Sequence, residues 1–267
     1  MNTSSVRTAS AAVLLIALFA LLGFAAPASA NHAWGGYHWA RTANPFVIKL
    51  GDNLTVSWKP YLVTTSADWT ISNVLNTAIV PGNGGKNCRA TAGRGEICNS
   101  KYGNNGWLGI ASIWASGSHI TQGTVKLNDT YFSKPQYNTS AWKNLVMCQE
   151  VGHLFGLGHQ DEAFSNANLD TCMDYTNNPE SNQHPNQHDY DMLEEIYAHL
   201  DTSTTIKSTS ASSRAEDSDD PRAWGREVSR SRDGRASLFV QDLGNGEKII
   251  RHVFWAEPRG RAFEHVE

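Results

Sequence analysis

The chain has 267 residues, of which 40% are hydrophobic and 18% charged, and its formal net charge at pH 7 is −4. With nine Trp, eight Tyr and nine Phe it has ample apolar surface for a core, which excludes disorder along the whole chain. The small negative charge provides no basic surface for nucleic acid, so we expect no nucleic-acid partner.

Residues 1–30 have the pattern of a secretory signal peptide. Arg7 is their only charged residue, an apolar run follows at 11–24, and Ala28-Ser29-Ala30 is a cleavage site of the A-x-A type. The apolar run is shorter than the stretch of about 20 residues that a transmembrane helix needs, which disfavours an uncleaved membrane anchor. We therefore predict cleavage after Ala30, a secreted protein without membrane association, and paired cysteines in an oxidising compartment.

Residues 31–200 form the predicted main domain, which is poor in charge and rich in Trp. Hydrophobic periodicity and turn residues predict strands that are followed by helices, an order that favours an α+β fold. The predicted elements are strand Asn53–Trp58, helix Ala67–Ile79, strands Trp107–Trp114 and Gly123–Leu127, a helix at 140–154 and helix Tyr190–Leu200.

The remaining residues are much richer in charge. Residues 201–234 are small, polar and charged, and we interpret them as a linker. Within 235–267, two β-prone runs flank a Gly-Asn-Gly turn at 244–246, which predicts a β-hairpin. Because an isolated hairpin is only marginally stable in water, we expect this one to dock on the main domain or on a partner.

One segment, residues 148–159, carries the strongest chemical signal. Glu150 and His153 are three positions apart, so they share one face of the predicted helix. Gly156 lets the chain leave the helix through a conformation that other residues avoid, so His159 can return towards His153. Neutral imidazoles with a carboxylate beside them suit a zinc ion.

This segment resembles the H-E-x-x-H-x-x-G-x-x-H signature of the metzincin metalloproteases, and is most similar to the matrixin branch. Met173, in Cys172-Met173-Asp174-Tyr175, resembles the Met-turn that lies under the zinc in that clan. Over about residues 55–200, the resemblance implies a zincin domain: a twisted sheet packed with an active-site helix and a C-terminal helix. It further implies a monomeric zinc metalloendopeptidase that acts on protein or peptide substrates. Glu150 would activate a zinc-bound water.

The match has one departure, because Gln149 stands where the family has its first histidine. Its amide oxygen is neutral and has a similar reach, so we expect Gln149 to join His153 and His159 as a metal ligand. An amide oxygen is nevertheless a poorer zinc ligand than imidazole. The alternative is a catalytically silent pseudo-protease that acts as a secreted binding module. A third interpretation is an adhesion protein that uses the tail.

Three further side chains are candidates for the site. Tyr175 resembles the metal-proximal tyrosine of the astacin and serralysin branches, so we expect it to assist catalysis, unless it is a core residue. His184 and His188 are either replacement ligands or surface residues. The resemblance also makes calcium a candidate cofactor, although no oxygen-ligand loop of the D-x-D-x-D type is present.

The four cysteines fit the same resemblance. A Cys148–Cys172 bridge would tie the zinc helix to the Met-turn and fix the surroundings of the ligands. Cys88 and Cys98 would then form a local pair. Four cysteines allow three connectivities, and the spacing only favours this one.

Overall fold

The computed structural model describes residues 31–206 and 218–256, so the predicted signal peptide lies outside the described residues. Within them, nine strands form one mixed sheet with four α-helices, which confirms the α+β class. No helix in these ranges is long and apolar enough to span a membrane. The strands are β1 His38–Trp39, β2 Phe46–Asn53, β3 Leu75–Pro81, β4 Arg94–Ser100, β5 Trp107–Ser116, β6 His119–Asn128, β7 Arg226–Arg230, β8 Ala236–Gly244 and β9 Glu247–Trp255. The helices are α1 Lys59–Trp69, α2 Asp129–Phe132, α3 Ser140–His153 and α4 Gln187–Ile196.

The sheet runs in the order β3-β2-β4-β6-β5-β9-β8-β7, and β1 pairs with β6. Strands β2, β3, β4 and β6 are parallel, whereas β5 is antiparallel to both β6 and β9. Strands β8 and β9 form a hairpin around residues 244–247, and β9 pairs with β5 along most of its length. The C-terminal hairpin therefore continues the main sheet.

Two elements before residue 82 differ from the sequence prediction. The predicted strand Asn53–Trp58 is wrong, because β2 ends at Asn53 and the chain then turns into α1. The predicted helix Ala67–Ile79 is also wrong: α1 ends at Trp69 and β3 follows. Ile71, which lies within that predicted helix, is 66% exposed. The true buried face has helical spacing, and its residues are Trp58, Leu62, Thr65 and Trp69.

Helix α3 crosses the sheet and is buried along its C-terminal half. The Thr139 hydroxyl caps its N-terminus by accepting a hydrogen bond of 3.2 Å from the backbone N–H of Trp142. All residues from 145 to 153 are buried. Beyond its end, the Leu154 side chain packs against Gly95 of β4 and Gly123 of β6. The helix is thereby fixed over the parallel strands.

Both expected disulfides are present. Cys148 of α3 is bonded to Cys172, and Cys88 is bonded to Cys98. No cysteine in the described residues is free. Two disulfides indicate an oxidising environment, such as the extracellular one.

Strand β9 is buried on both faces. Its side chains alternate, as they must in a strand. Val253 and Trp255 pack with Trp224 in a small cluster on one face, while Ile250 and Phe254 join the main core on the other. By the same alternation, His252 lies on the face of β9 that belongs to the main core.

Candidate metal centre

The end of α3 brings two histidines together. His153 is the last residue of the helix, and Gly156 three positions later has φ +90°. A Cβ at Gly156 would lie 2.0 Å from the carbonyl oxygen of Tyr37, so only glycine fits this turn. The chain then returns, and the ring of His159 comes to rest with its centroid 4.6 Å from that of His153. This local geometry is the one expected from the sequence.

The third imidazole comes from the C-terminal hairpin. The His252 ring centroid lies 4.2 Å from that of His153 and 4.6 Å from that of His159. One ring nitrogen from each of these histidines lies within 4.8 Å of the others. Sequence reasoning missed His252, since the only signal was a single histidine on a predicted strand, with no spacing that linked it to α3.

Two of the three rings have an unpaired nitrogen atom, whereas both ring nitrogens of His252 have partners, Glu150 and Tyr175. His153 Nδ1 donates a hydrogen bond of 2.8 Å to the carbonyl oxygen of Leu157, which leaves its Nε2 as a lone pair. The buried Nε2 atoms of His153 and His159 have no hydrogen-bond partner. A buried polar atom without a partner lowers the free energy of unfolding by about 1–3 kcal/mol. A group bound between these nitrogen atoms would remove that penalty.

Burial keeps these imidazoles neutral. It lowers the pKa of His153 and of His252 to about 3, and that of His159 well below its ordinary value. Neutral imidazole is the form that ligates metal ions, and three histidines form a known catalytic zinc set. The residues present therefore fit a zinc ion.

Glu150 lies beside the three histidines and is fully buried. Its Oε2 atom is 3.1 Å from His252 Nδ1, whereas its Oε1 atom has no hydrogen-bond partner. Burial raises the pKa of Glu150 to about 8. The carboxyl group thus bonds to His252 with one oxygen, while the other lies against β5, where a Cβ at Gly109 would be 2.9 Å from it.

Tyr175 and Met173 pack around the same histidines. The Tyr175 hydroxyl lies 3.0 Å from His252 Nε2, and its ring centroid is 4.1 Å from that of His159. Burial raises the pKa of Tyr175 well above its ordinary value, so the hydroxyl keeps its proton. A Cβ at Gly152 would lie 2.7 Å from Met173 Sδ, which shows how closely Met173 packs against α3.

Gln149 is buried next to the disulfide. Its Nε2 atom donates a hydrogen bond of 2.8 Å to the carbonyl oxygen of Cys172, and its Oε1 atom has no partner. Its role as a metal ligand stays a prediction. The structure does not bring the other two candidates into the cluster: His184 contacts Asp68 at the surface, and His188 stacks on His32.

No protein-family model matches the chain, and no curated protein sequence matches it either. The likeness to metzincins rests on the short motifs at 148–159 and 172–175.

A cleft of about 710 Å³ borders the site on one side. Phe164 lines the cleft and stacks on Tyr175, with ring centroids 4.7 Å apart. Glu162, also in its wall, has Oε1 3.9 Å from His159 Nδ1. The cleft wall thus contacts Tyr175 through Phe164 and approaches His159 through Glu162.

Proposed function

We propose that the protein is a secreted zinc-dependent metalloendopeptidase whose metal is held by His153, His159 and His252. The observation that carries this proposal is the convergence of three buried, neutral imidazoles beside Glu150. A zinc ion bound there would supply a Lewis acid that polarises the scissile carbonyl group and acidifies water.

His252 is a better third ligand than Gln149. Imidazole nitrogen is a standard zinc ligand, whereas the amide oxygen of Gln149 belongs to no common zinc set. His252 Nδ1 is also bonded to a carboxylate, and such a bond orients a metal-binding imidazole and raises its basicity.

The two oxygens of Glu150 allow two tasks. Oε2 accepts a hydrogen bond from His252 Nδ1, and in our proposal Oε1 takes a proton from the attacking water and passes it to the leaving amine. Burial raises the pKa of Glu150 to about 8 in the metal-free protein, and the positive charge of a zinc ion beside it would lower that pKa and favour the carboxylate that a general base requires. The Tyr175 hydroxyl, which keeps its proton, would donate a hydrogen bond to the developing oxyanion.

Two substitutions at Glu150 separate these tasks. In Glu150→Gln an amide oxygen can still accept from His252, so zinc should stay bound while peptide hydrolysis is lost by at least about 100-fold. In Glu150→Ala the His252 contact is lost too, and zinc affinity should fall by about 10- to 100-fold. The measurements are zinc content after dialysis and cleavage of a mixed peptide library. Equal hydrolysis by wild type and Glu150→Gln would refute the proposal.

A silent metal-binding module is the second candidate function, and one observation favours it. Glu150 is fully buried, and both edges of β5 are paired, with β6 and with β9. A substrate peptide cannot add to β5 unless the hairpin moves. The contact with His252 also gives Glu150 a structural task in an inactive site. This candidate predicts zinc binding in wild type without hydrolysis of any peptide in the library.

A further inference from the structure

A second group of histidines lies apart from the site described above. His38 is in β1, and its register partner in β6 is His119. Both approach Asp201, which follows α4, and His199 lies next to them. The group thus joins three segments that are distant in sequence.

One possible ligand atom from each of His38, His119 and Asp201 lies within 4.8 Å of the others, and His199 approaches two of these residues. The Oδ1 atom of Asp201 lies 3.1 Å from His119 Nε2, 3.6 Å from His38 Nε2 and 3.7 Å from His199 Nε2. The two Nε2 atoms of His38 and His199 are 3.1 Å apart. A tetrahedral zinc ion with ligands at about 2.0–2.2 Å separates neighbouring ligand atoms by about 3.3–3.6 Å.

Neighbouring groups fix the orientation of two of these side chains. His38 Nδ1 donates to the carbonyl oxygen of Gly36 at 3.0 Å, so in the neutral ring Nε2 is a lone pair. Arg41 holds the other oxygen of Asp201: its Nη1 and its backbone N–H donate to Oδ2 at 2.9 and 3.1 Å. Oδ1 is thereby directed towards the histidines.

Without a metal ion, two hydrogen bonds link these atoms: His199 Nε2 donates to His38 Nε2 and His119 Nε2 donates to Asp201 Oδ1, each at 3.1 Å. The two acceptors, His38 Nε2 and Asp201 Oδ1, face each other at 3.6 Å. Acceptor atoms that converge in this way are stabilised by a cation between them, and outer bonds such as those from Gly36 and Arg41 are typical of metal ligands.

We propose that His38, His119 and Asp201 bind a second zinc ion, and that the half-exposed side chain of His199 turns towards His119 to complete the set. Three imidazoles and one carboxylate complete a tetrahedral set and leave no open position, which is the mark of a structural site. The ion would fix β1 and the chain after α4 onto the start of β6. It would therefore stabilise the fold and take no part in catalysis.

Zinc stoichiometry of the full-length secreted protein tests this proposal. After loading with Zn²⁺ and dialysis, we expect two zinc ions per chain in wild type, and one in His119→Ala and in His199→Ala. Both side chains are partly exposed, at 38% and 52%, so neither truncation opens a core cavity. His184→Ala, at another exposed histidine, serves as the matched control and should keep both ions.

His153→Ala separates this proposal from the proposed function. If wild type holds one ion that His153→Ala loses and His119→Ala keeps, the second site is refuted while the first remains. If the single ion is instead lost in His119→Ala and kept in His153→Ala, the second site is supported and the first fails. A wild type that retains no zinc refutes both. Substitution with Co²⁺ gives a further readout, since His119→Ala should lose the part of the visible absorption that comes from the second site and keep the part that comes from the first.

Discussion

His252 Nδ1 lies 3.1 Å from Glu150 Oε2, although the two residues are 102 positions apart. This contact joins the C-terminal hairpin to the helix that carries the metalloprotease-like motif. It places the third imidazole next to the carboxylate of Glu150 and next to the rings of His153 and His159. The tail, whose composition differs so strongly from that of the main domain, is thus part of the candidate site.

The first prediction compares the two candidates for the third ligand. His252→Ala removes a proposed zinc ligand. Loss of a residue that only supports a ligand lowers zinc affinity by about 10- to 100-fold, so His252→Ala should lower it by more than that. Gln149→Ala should change zinc affinity by less than tenfold if its amide only bonds to Cys172. Competition with a chromophoric chelator measures both affinities.

His184→Ala is the control for that comparison, because the side chain of this exposed histidine contacts Asp68 and none of the three clustered histidines. A larger loss of zinc affinity in Gln149→Ala than in His252→Ala would restore the original interpretation of Gln149 as the ligand.

The motif could be predicted from sequence and the third ligand could not, for a physical reason. The positions of His153, Gly156 and His159 follow from helix geometry and one glycine turn, which are local. His252 reaches the site only because β9 pairs with β5, where its register partner is Ala111. Such pairing depends on burial across the whole sheet, and a single chain gives no direct signal of it.

The second prediction concerns the stability of the hairpin. Trp255 is fully buried in the cluster with Trp107 and Trp224, so Trp255→Ala should lower the free energy of unfolding by about 3–5 kcal/mol. Ile71→Ala, at a 66% exposed residue, should change it by less than about 0.5 kcal/mol. Urea unfolding followed by Trp fluorescence measures both. A small effect of Trp255→Ala would show that β9 does not pack stably on β5.

The third prediction concerns the Cys148–Cys172 disulfide, which ties α3 to the segment containing Met173. It closes a loop with a sequence separation of 24, for which the loss of chain entropy in the unfolded state predicts about 3 kcal/mol of stabilisation. The double variant Cys148→Ala, Cys172→Ala should lose that stability and bind zinc more weakly. Removal of Cys88–Cys98 in the same way should leave zinc affinity unchanged.

The fourth prediction is the pH dependence of the metal-free protein. His153 and His252 have folded-state pKa values of about 3, below the ordinary 6.5, so the unfolded chain binds more protons between these values. Their contribution to stability is therefore lost as the pH falls from 6.5 towards 3, by about 1.4 kcal/mol per pH unit for each histidine. Glu150 acts in the opposite sense. Burial raises its pKa from 4.5 to about 8, so its contribution to the free energy of unfolding is lost as the pH rises from 4.5 to about 8.

The direction of this pH dependence can be checked by comparing the unfolding free energies of wild type and of histidine variants. With zinc removed by a chelator, the gap in unfolding free energy between wild type and His252→Gln should change by about 1.4 kcal/mol per pH unit between pH 4 and 6. The gap between wild type and His184→Gln should stay nearly constant over that range. A flat profile for His252→Gln would mean that this imidazole is protonated in the folded state.

The last prediction decides whether Tyr175 is a catalytic or a core residue. Its ring is stacked between His159 and Phe164, so Tyr175→Phe keeps the packing and removes only the hydroxyl near His252 Nε2. If the hydroxyl stabilises an oxyanion, kcat should fall by about 100-fold or more while KM and zinc content stay the same. Tyr190→Phe is the matched control, since that hydroxyl bonds to the backbone of Asp68. A Tyr175→Phe enzyme with full kcat and reduced stability would identify Tyr175 as a core residue, because only the folded state would then depend on the hydroxyl.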